Sequence, residues 1–284
     1  INHNLGFKWL NGRMISDIAL PLQQHPHFAA ALTRLGRTVQ FADVAGAAPV
    51  LTVRQWGQSI TSRGPIWHGD RCSDSLRKVG LRFVNADAPN DMLLRGAGFR
   101  RLMTNTHVAE LDLQTPPDER RRAMKPKWRN AWRSAQNAAL TVSEVQYNTH
   151  EHAWVLQADL AQQGAKRFRG LPHTLIDAFA EGQPKSVRVL ICCANNSPIA
   201  AMLFLLHAPV VTYHIGWTSL QGRKLHAHHR MIMEAAERFA QRGYYRMDLG
   251  AVDTDRVPGL ARFKIGTGAQ VRPLGGTWLR LPKC

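Results

Sequence analysis

Between Ser186 and Thr218 three apolar runs follow one another with almost nothing between them: SVRVLICCA, SPIAAMLFLLHA and VVTYHIGWT. Each suits a strand, and an Asn195-Asn196 pair separates the first two, which predicts successive antiparallel strands joined by tight turns. A helix is predicted next, from about Leu225 to Arg242, with Leu225, His229, Ile232, Ala236 and Phe239 on one face and Gly243 at its end. YYRMDLG then reads as a strand, VPGLARFK as a short helix opened near Pro258, and AQVRPLGGTWLRL as a last strand. Upstream, Asn148 and Glu151 have capping-box spacing for a helix through about Gln162, and a second helix runs from Pro172 to Ala180, stopped at Gly182. The order is therefore α, α, β, β, β, α, β, α, β, which puts three antiparallel strands and a β-α-β unit into one sheet covered by helices.

The 284 residues suffice for two domains of about 140 residues each. The first half is mixed. HPHFAAALTRLG is a short amphipathic helix closed by Gly36, APVLTVRQWG and RGPIWHGD read as strands, and THVAELDLQ alternates as a strand stopped by Pro116 and Pro117. The most basic stretch follows, DERRRAMKPKWRNAWRSAQNAAL, helical past Pro126, with Trp128, Trp132, Ala135 and Ala139 spaced three or four apart. Its tryptophans suit core packing, and Arg129 and Arg133, one turn apart, suit either solvent or the phosphates of a large ligand. Trp56 and Trp67 suit either a groove wall or core.

Lys and Arg number 37 against 20 acids, a formal net charge of +17, which attracts nucleic acid, phosphorylated cofactors or anionic lipid headgroups. The cysteines, Cys72, Cys192, Cys193 and Cys284, lack CxxC spacing, which points to a reducing, cytoplasmic setting. The longest apolar run, Pro198 to Val211, is broken by His207 and Pro209 and falls short of the roughly 18 residues of a spanning helix, so any membrane contact would be peripheral. The chain opens at Ile1 without a charged-then-apolar leader, which leaves room for a targeting segment upstream. His226, His228 and His229 have no third ligand of matching spacing, so no metal is expected, and His229 falls on the apolar stripe.

YHIGW, GRKLHAHHRMIMEAA, RGYYRMDLGAVD, PGLARFKIGTGA and LGGTW together resemble the Fem-like branch of the GNAT acyltransferase superfamily. KWRNAWRSAQNAAL is similar to the basic helix those proteins carry between their domains, and RGPIW to a strand of their first domain. The resemblance implies an α/β (α+β) chain of tandem GNAT-like domains, each a mixed, mostly antiparallel sheet covered by helices. It puts the first domain at 1–140, ending in a basic linker helix at about 117–139, and the second, with the donor site, at 141–284. It further implies an amide-forming transferase with no permanently bound cofactor. The donor would be an aminoacyl-tRNA or an acyl-CoA, and the acceptor a small-molecule or peptide amine, so tRNA is an expected partner.

In such enzymes the donor phosphates sit on a backbone turn, Arg/Gln-x-x-Gly-x-Gly/Ala, at a helix start. Here the matching stretch runs from Arg223 through Lys224 and His226 to His228. His226 replaces the glycine, and its side chain should obstruct a pyrophosphate, which disfavours coenzyme A and favours the looser phosphates of a tRNA end. Lys127, Arg129 and Arg133 would meet the same donor. Phe263-Lys264 matches a Phe-Lys pair that Fem-like enzymes place beside the donor's reactive end. Lys264 would hold the developing oxyanion or a phosphate, or else pair with Asp248 or Asp253, while Phe263 offers a face to a base or sugar. Asp253, past the strand end, would accept a proton, and Asp255 would do so or cap the loop. Tyr213 and His214 alternate along a strand, so one of them faces the cleft. Two other readings stand beside this one, an acyl-CoA N-acyltransferase and a non-catalytic protein binding RNA or anionic lipid.

Overall fold

A computed structural model describes residues 9–10, 13–14, 18–166 and 170–281, with only the backbone of 9, 10, 13, 14, 165 and 166; Ile1 and Cys284 fall outside these. After a short ribbon, β1 (Trp9–Leu10) with β2 (Arg13–Met14), come α1 (Pro26–Arg34), β3 (Val39–Ala42), β4 (Val50–Gln55), β5 (Gln58–Ser62), α2 (Ser73–Lys78), β6 (Phe83–Ala86), α3 (Asp91–Gly96), β7 (Phe99–Met103) and β8 (His107–Asp112). The linker region holds α4 (Pro117–Ala123) and α5 (Pro126–Asn137). The second half holds β9 (Thr141–Gln146), α6 (Ala153–Lys166), α7 (His173–Gly182), β10 (Val187–Ala194), β11 (Ser197–His207), β12 (Val210–Thr218), α8 (Leu220–Lys224), α9 (Ala227–Gln241), β13 (Arg246–Val252), α10 (Pro258–Gly266), β14 (Gln270–Pro273) and β15 (Gly276–Arg280).

The expected two mixed sheets covered by helices are present. One has the order β14-β8-β13-β12-β11-β10-β9 and the other β3-β4-β5-β6-β15-β7. β11 explains why AAMLFLL is apolar without alternation: it is central and buried on both faces, as a strand covered by helices on each side must be. One face packs Met202, Phe204 and Met247 against α9 and Trp128 of α5; the other packs Leu203, Leu205 and Ile215 against α6, α7 and Phe28 of α1.

Each sheet takes one strand from the other half of the chain. β8 pairs with β13 and β14 in the seven-stranded sheet, and β15 lies between β6 and β7 in the six-stranded one. A cut at 140/141 is thus crossed by one strand in each direction. AQVRPLGGTWLRL, read as one strand, is two strands in separate sheets. The chain crosses at Leu274-Gly275, where Gly275 donates to the Ala86 carbonyl and a Cβ on it would collide with the Ala88 carbonyl. RGPIWHGD is not a strand either: Trp67 makes only a bridge to Ala47, and QSITS takes the place in the sheet. The helix expected from Leu225 is preceded by the separate turn of α8, and the helix expected at Asn148 begins at Ala153. Asn148 does accept the Glu151 amide, at 3.1 Å, one turn early. No helix of the described residues is long and apolar enough to cross a membrane.

Where α1 begins, the His25 ring meets His27 edge-on at 4.5 Å and His207 of β11 at a tilt at 5.3 Å, and the His207 Nε2 lies 2.8 Å from the Thr212 hydroxyl. Burial lowers all three histidines, His25 to about 3, and Arg246 and Arg63 push His207 the same way. Their folded pKa values lie below the ordinary 6.5, so the stability they contribute is full above pH 6.5 and is lost as pH falls toward 3. His25, kept neutral through that window, costs about 1.4 kcal/mol per pH unit. The urea midpoint is therefore expected to fall steeply between pH 6.5 and 4.5, and His207→Gln should flatten the slope; an unchanged slope would remove the cluster from the acid response.

Candidate active site

β12 and β13 run parallel but pair only over Val210–Thr212 and Arg246–Asp248. Beyond that point each arm carries an irregularity that turns it away. In β12, Leu203 faces Ile215 while Phe204 faces Tyr213, so His214 is the extra residue of a bulge. In β13 the register slips between Asp248 and Ala251, with Gly250 at φ 77°, and the strand follows β8 instead. The sheet opens into a fork at the carboxyl ends of two parallel strands, where open α/β sheets hold ligands.

Lys264, on α10, reaches the root of the fork. It is 7% exposed, its Nζ donates to the Ala251 carbonyl at 2.8 Å, and burial lowers its pKa to about 8 against the opposing pull of Asp248. It makes neither of the ion pairs open to it from sequence. Asp248 is held by Arg63 at 3.1 Å and by the Gly250 amide at 2.7 Å. Asp253 is turned into its own loop, where Oδ1 accepts the Asp255 and Arg256 amides at 3.1 and 2.8 Å, so its carboxylate caps the turn before α10. Asp255 is exposed.

The bulge separates Tyr213 from His214. Tyr213 packs beside Phe204 on the α9 face, its hydroxyl lies where a Cβ on Gly216 would stand, and burial raises its pKa. His214 is lowered to about 4 by burial, with the Asp159 carboxylate pulling the other way. Asp159 on α6 accepts from Gln163 at 2.6 Å and lies 2.9 Å from His173 Nε2, while Gln162 Nε2 donates to the Gly216 carbonyl and ties α6 to the forked strand.

His226 adopts φ 50°, ψ 35° as the N-cap of α9. This is the left-handed conformation that glycine takes freely and that costs another residue about 1–2 kcal/mol, so the backbone has the shape a glycine would give it while an imidazole occupies the space. Arg223 and Lys224 are exposed at the end of α8 just before it. His229 is lowered to about 4 by burial, packing against Trp128 at 4.8 Å and Phe263 at 5.5 Å, and His228 Nε2 lies 2.7 Å from the Trp217 carbonyl. No group of three His, Cys, Asp or Glu side chains among the described residues could hold a metal ion.

No known family profile and no curated protein matches the sequence. Solved structures do match about nine tenths of the chain path. FemX aligns with a TM-score of 0.69 at 12% identity, over 90% of this chain and 93% of its own. The fold is that of FemX. The C-terminal domain of a putative lysylphosphatidylglycerol synthetase from Agrobacterium fabrum aligns with a TM-score of 0.59 at 15% identity, covering 92% and 88%, and L-PGS from Bacillus licheniformis with 0.55 at 13%, covering 91% and 92%.

Within this FemX-like fold the basic helix and the FKIG helix form one unit. Trp128 of α5 lies against Gly266, where any Cβ would enter the indole, and the Lys125 amide donates to the Gly266 carbonyl at 3.0 Å. Phe263 stands 6.0 Å from Trp128 and 6.0 Å from His228, so it is a wall of this aromatic cluster. Lys127 and Arg133 are exposed, and Arg129 and Arg133 line a groove of about 290 Å³ with Arg121, Arg122, Trp132 and Asp118. Trp56 is 86% exposed, and Trp67 packs on the core of the six-stranded sheet. Sequence reasoning missed Arg63, Asp159 and His173. Arg63 opens the RGPIW stretch but was read there only as part of a strand, and Asp159 and His173 stand alone in their segments, with no motif to mark them.

Proposed function

We propose that this chain is an acyl transferase of the aminoacyl kind, moving an aminoacyl group from an aminoacyl-tRNA to an acceptor amine. The observation that carries the reading is Lys264: a buried ammonium at the root of the fork, with one donor spent on Ala251 and two left for a ligand. In the reaction the acceptor nitrogen attacks the ester carbonyl carbon, and Lys264 holds the resulting oxyanion. The carbon–oxygen bond to the ribose then breaks, the ribose oxygen takes a proton, and the amine sheds one. His214, neutral near pH 7 because burial lowers it, with the Asp159 carboxylate pulling the other way, is the candidate for that proton.

Two features favour tRNA over coenzyme A as donor. His226 puts a side chain on the turn where a glycine would leave the backbone open to a pyrophosphate, and the groove lined by Arg129 and Arg133 extends positive potential along α5. The test is binding and turnover with bulk charged tRNA, deacylated tRNA and acetyl-CoA in parallel at two salt concentrations. Charged tRNA is expected to bind preferentially at moderate salt and to be consumed with an amine acceptor. Tight, salt-insensitive acetyl-CoA binding would make the chain an N-acyltransferase, and polyanion binding without consumption of any donor would make it a non-catalytic binder. Phosphatidylglycerol vesicles enter the same assay, because one similar structure carries the name of a putative lysylphosphatidylglycerol synthetase; their acceptor group is a hydroxyl, so an aminoacyl ester formed on them in place of an amide would replace the amine acceptor of this reading.

A further inference from the structure

Arg63 belongs to the six-stranded sheet, one residue past β5, yet its guanidinium crosses to the fork of the other sheet. It meets Asp248 at 3.1 Å, Asp87 at 2.5 Å and Glu110 at 3.5 Å, and its side chain is 11% exposed. Its backbone is held at φ 55°, a conformation an arginine keeps only where its surroundings enforce it. Arg272 takes the remaining capacity of Asp87 and Glu110, at 2.9 Å to each, and Arg246 approaches Glu110 at 3.8 Å, so these two acids retain cationic partners without Arg63. Asp248 does not. Apart from Arg63, its one hydrogen-bond donor among the described residues is the Gly250 amide, and the next residue, Ala251, is the one whose carbonyl holds Lys264.

We propose that Arg63 is a positioning residue that occupies the Asp248 carboxylate across the sheet boundary and so keeps the Lys264 ammonium on Ala251, facing the fork, instead of locked in an ion pair. The inference rests on the transferase reading of Lys264 for its functional meaning, but the electrostatic arrangement stands on the geometry. A carboxylate a few ångströms from an ammonium favours the charged form, and a competing guanidinium removes that preference. Of the charged groups facing Lys264, Asp248 is the one that acts on its titration. Burial lowers the proton affinity of Lys264 on α10, and a residue of the six-stranded sheet thereby weakens the one carboxylate that opposes it.

The experiment is a titration of the lysine ε-carbons by NMR on the intact 13C-labelled chain, with the Lys264 signal assigned by its loss in Lys264→Met. Lys264 is expected to titrate near 8 in the parent and measurably higher in Arg63→Met. It should return to about 8 or below in Arg63→Met with Asp248→Asn. An unmoved titration in Arg63→Met, or one that stays raised in the double variant, would overturn the proposal. If Arg63→Met does not fold, Asp248→Asn alone must lower the titration, and failure to do so overturns it equally. Transfer assays on the same variants separate the two ideas. A titration that moves as expected while transfer ignores Lys264 sinks the transferase reading and leaves the coupling intact.

Discussion

Lys264→Met should lower turnover by about 10²–10³-fold, the loss seen when one oxyanion donor is removed from an active site, while leaving the chain folded. The two halves of this expectation come from one fact. A lysine whose folded pKa is about 8, against an ordinary 10.5, disfavours folding in its charged form; that cost is full below pH 8 and fades as pH rises from 8 to 10.5. At neutral pH it is about 3 kcal/mol. Methionine removes the buried charge and leaves the Ala251 carbonyl without its donor, a smaller loss of about 1 kcal/mol. The variant should therefore unfold at an equal or higher urea concentration and yet be inactive. The parent's activity should also fall as pH rises through about 8, because the ammonium is the working form, and Lys264→Met should lack that limb in its residual rate. Full activity in Lys264→Met would remove the residue from the mechanism.

How much of this was legible in the sequence depends on how local the determining interaction is. The three strands of 187–218 were readable because each is an unbroken apolar run, and because Asn195 and Asn196 adopt φ 49° and 62°, the left-handed pair a two-residue hairpin needs. The α9 stripe and its closure at Gly243 were readable for the same reason. Lys264 was found through resemblance, since nothing in the periodicity of a nine-residue helix marks one lysine as buried. The bulge at His214 was invisible because it depends on the register of β11 against β12, and that register moves Tyr213 and His214 out of simple alternation. Arg63 reaches Asp248 across 185 positions, and the Asp159–His173 pair joins two helices, so neither leaves a spacing to read. The exchange of β8 and β15 is the extreme case: LGGTWLR looks the same as a sequence whether it continues its own sheet or crosses to the other.

That exchange sets the other large effect. Trp278, on β15, is fully buried among Val84, Leu94 and Phe99, donates Nε1–H to the Gly275 carbonyl at 2.8 Å, and has the Arg101 guanidinium 4.8 Å over its ring. Trp278→Ala is expected to lower the unfolding free energy by about 3–5 kcal/mol, from the cavity and the lost transfer energy together, with a further contribution from the cation–π contact. The loss should not stay in the six-stranded sheet. β15 is tethered through Gly275 to β14, which pairs with β8 beside the fork strand β13, and Arg63 and Arg272 join the two sheets through Asp87, Glu110 and Asp248. Releasing β15 therefore frees the outer edge of the sheet that carries the fork. In urea, far-UV circular dichroism and the fluorescence of the remaining tryptophans should report one transition at a lowered midpoint. Turnover in Trp278→Ala should fall only in proportion to the unfolded fraction, since Trp278 lies outside the fork. Two separated transitions, with the seven-stranded sheet surviving the first, would mean that the exchanged strands do not couple the halves, and the fork would then have to be treated as the property of one autonomous domain.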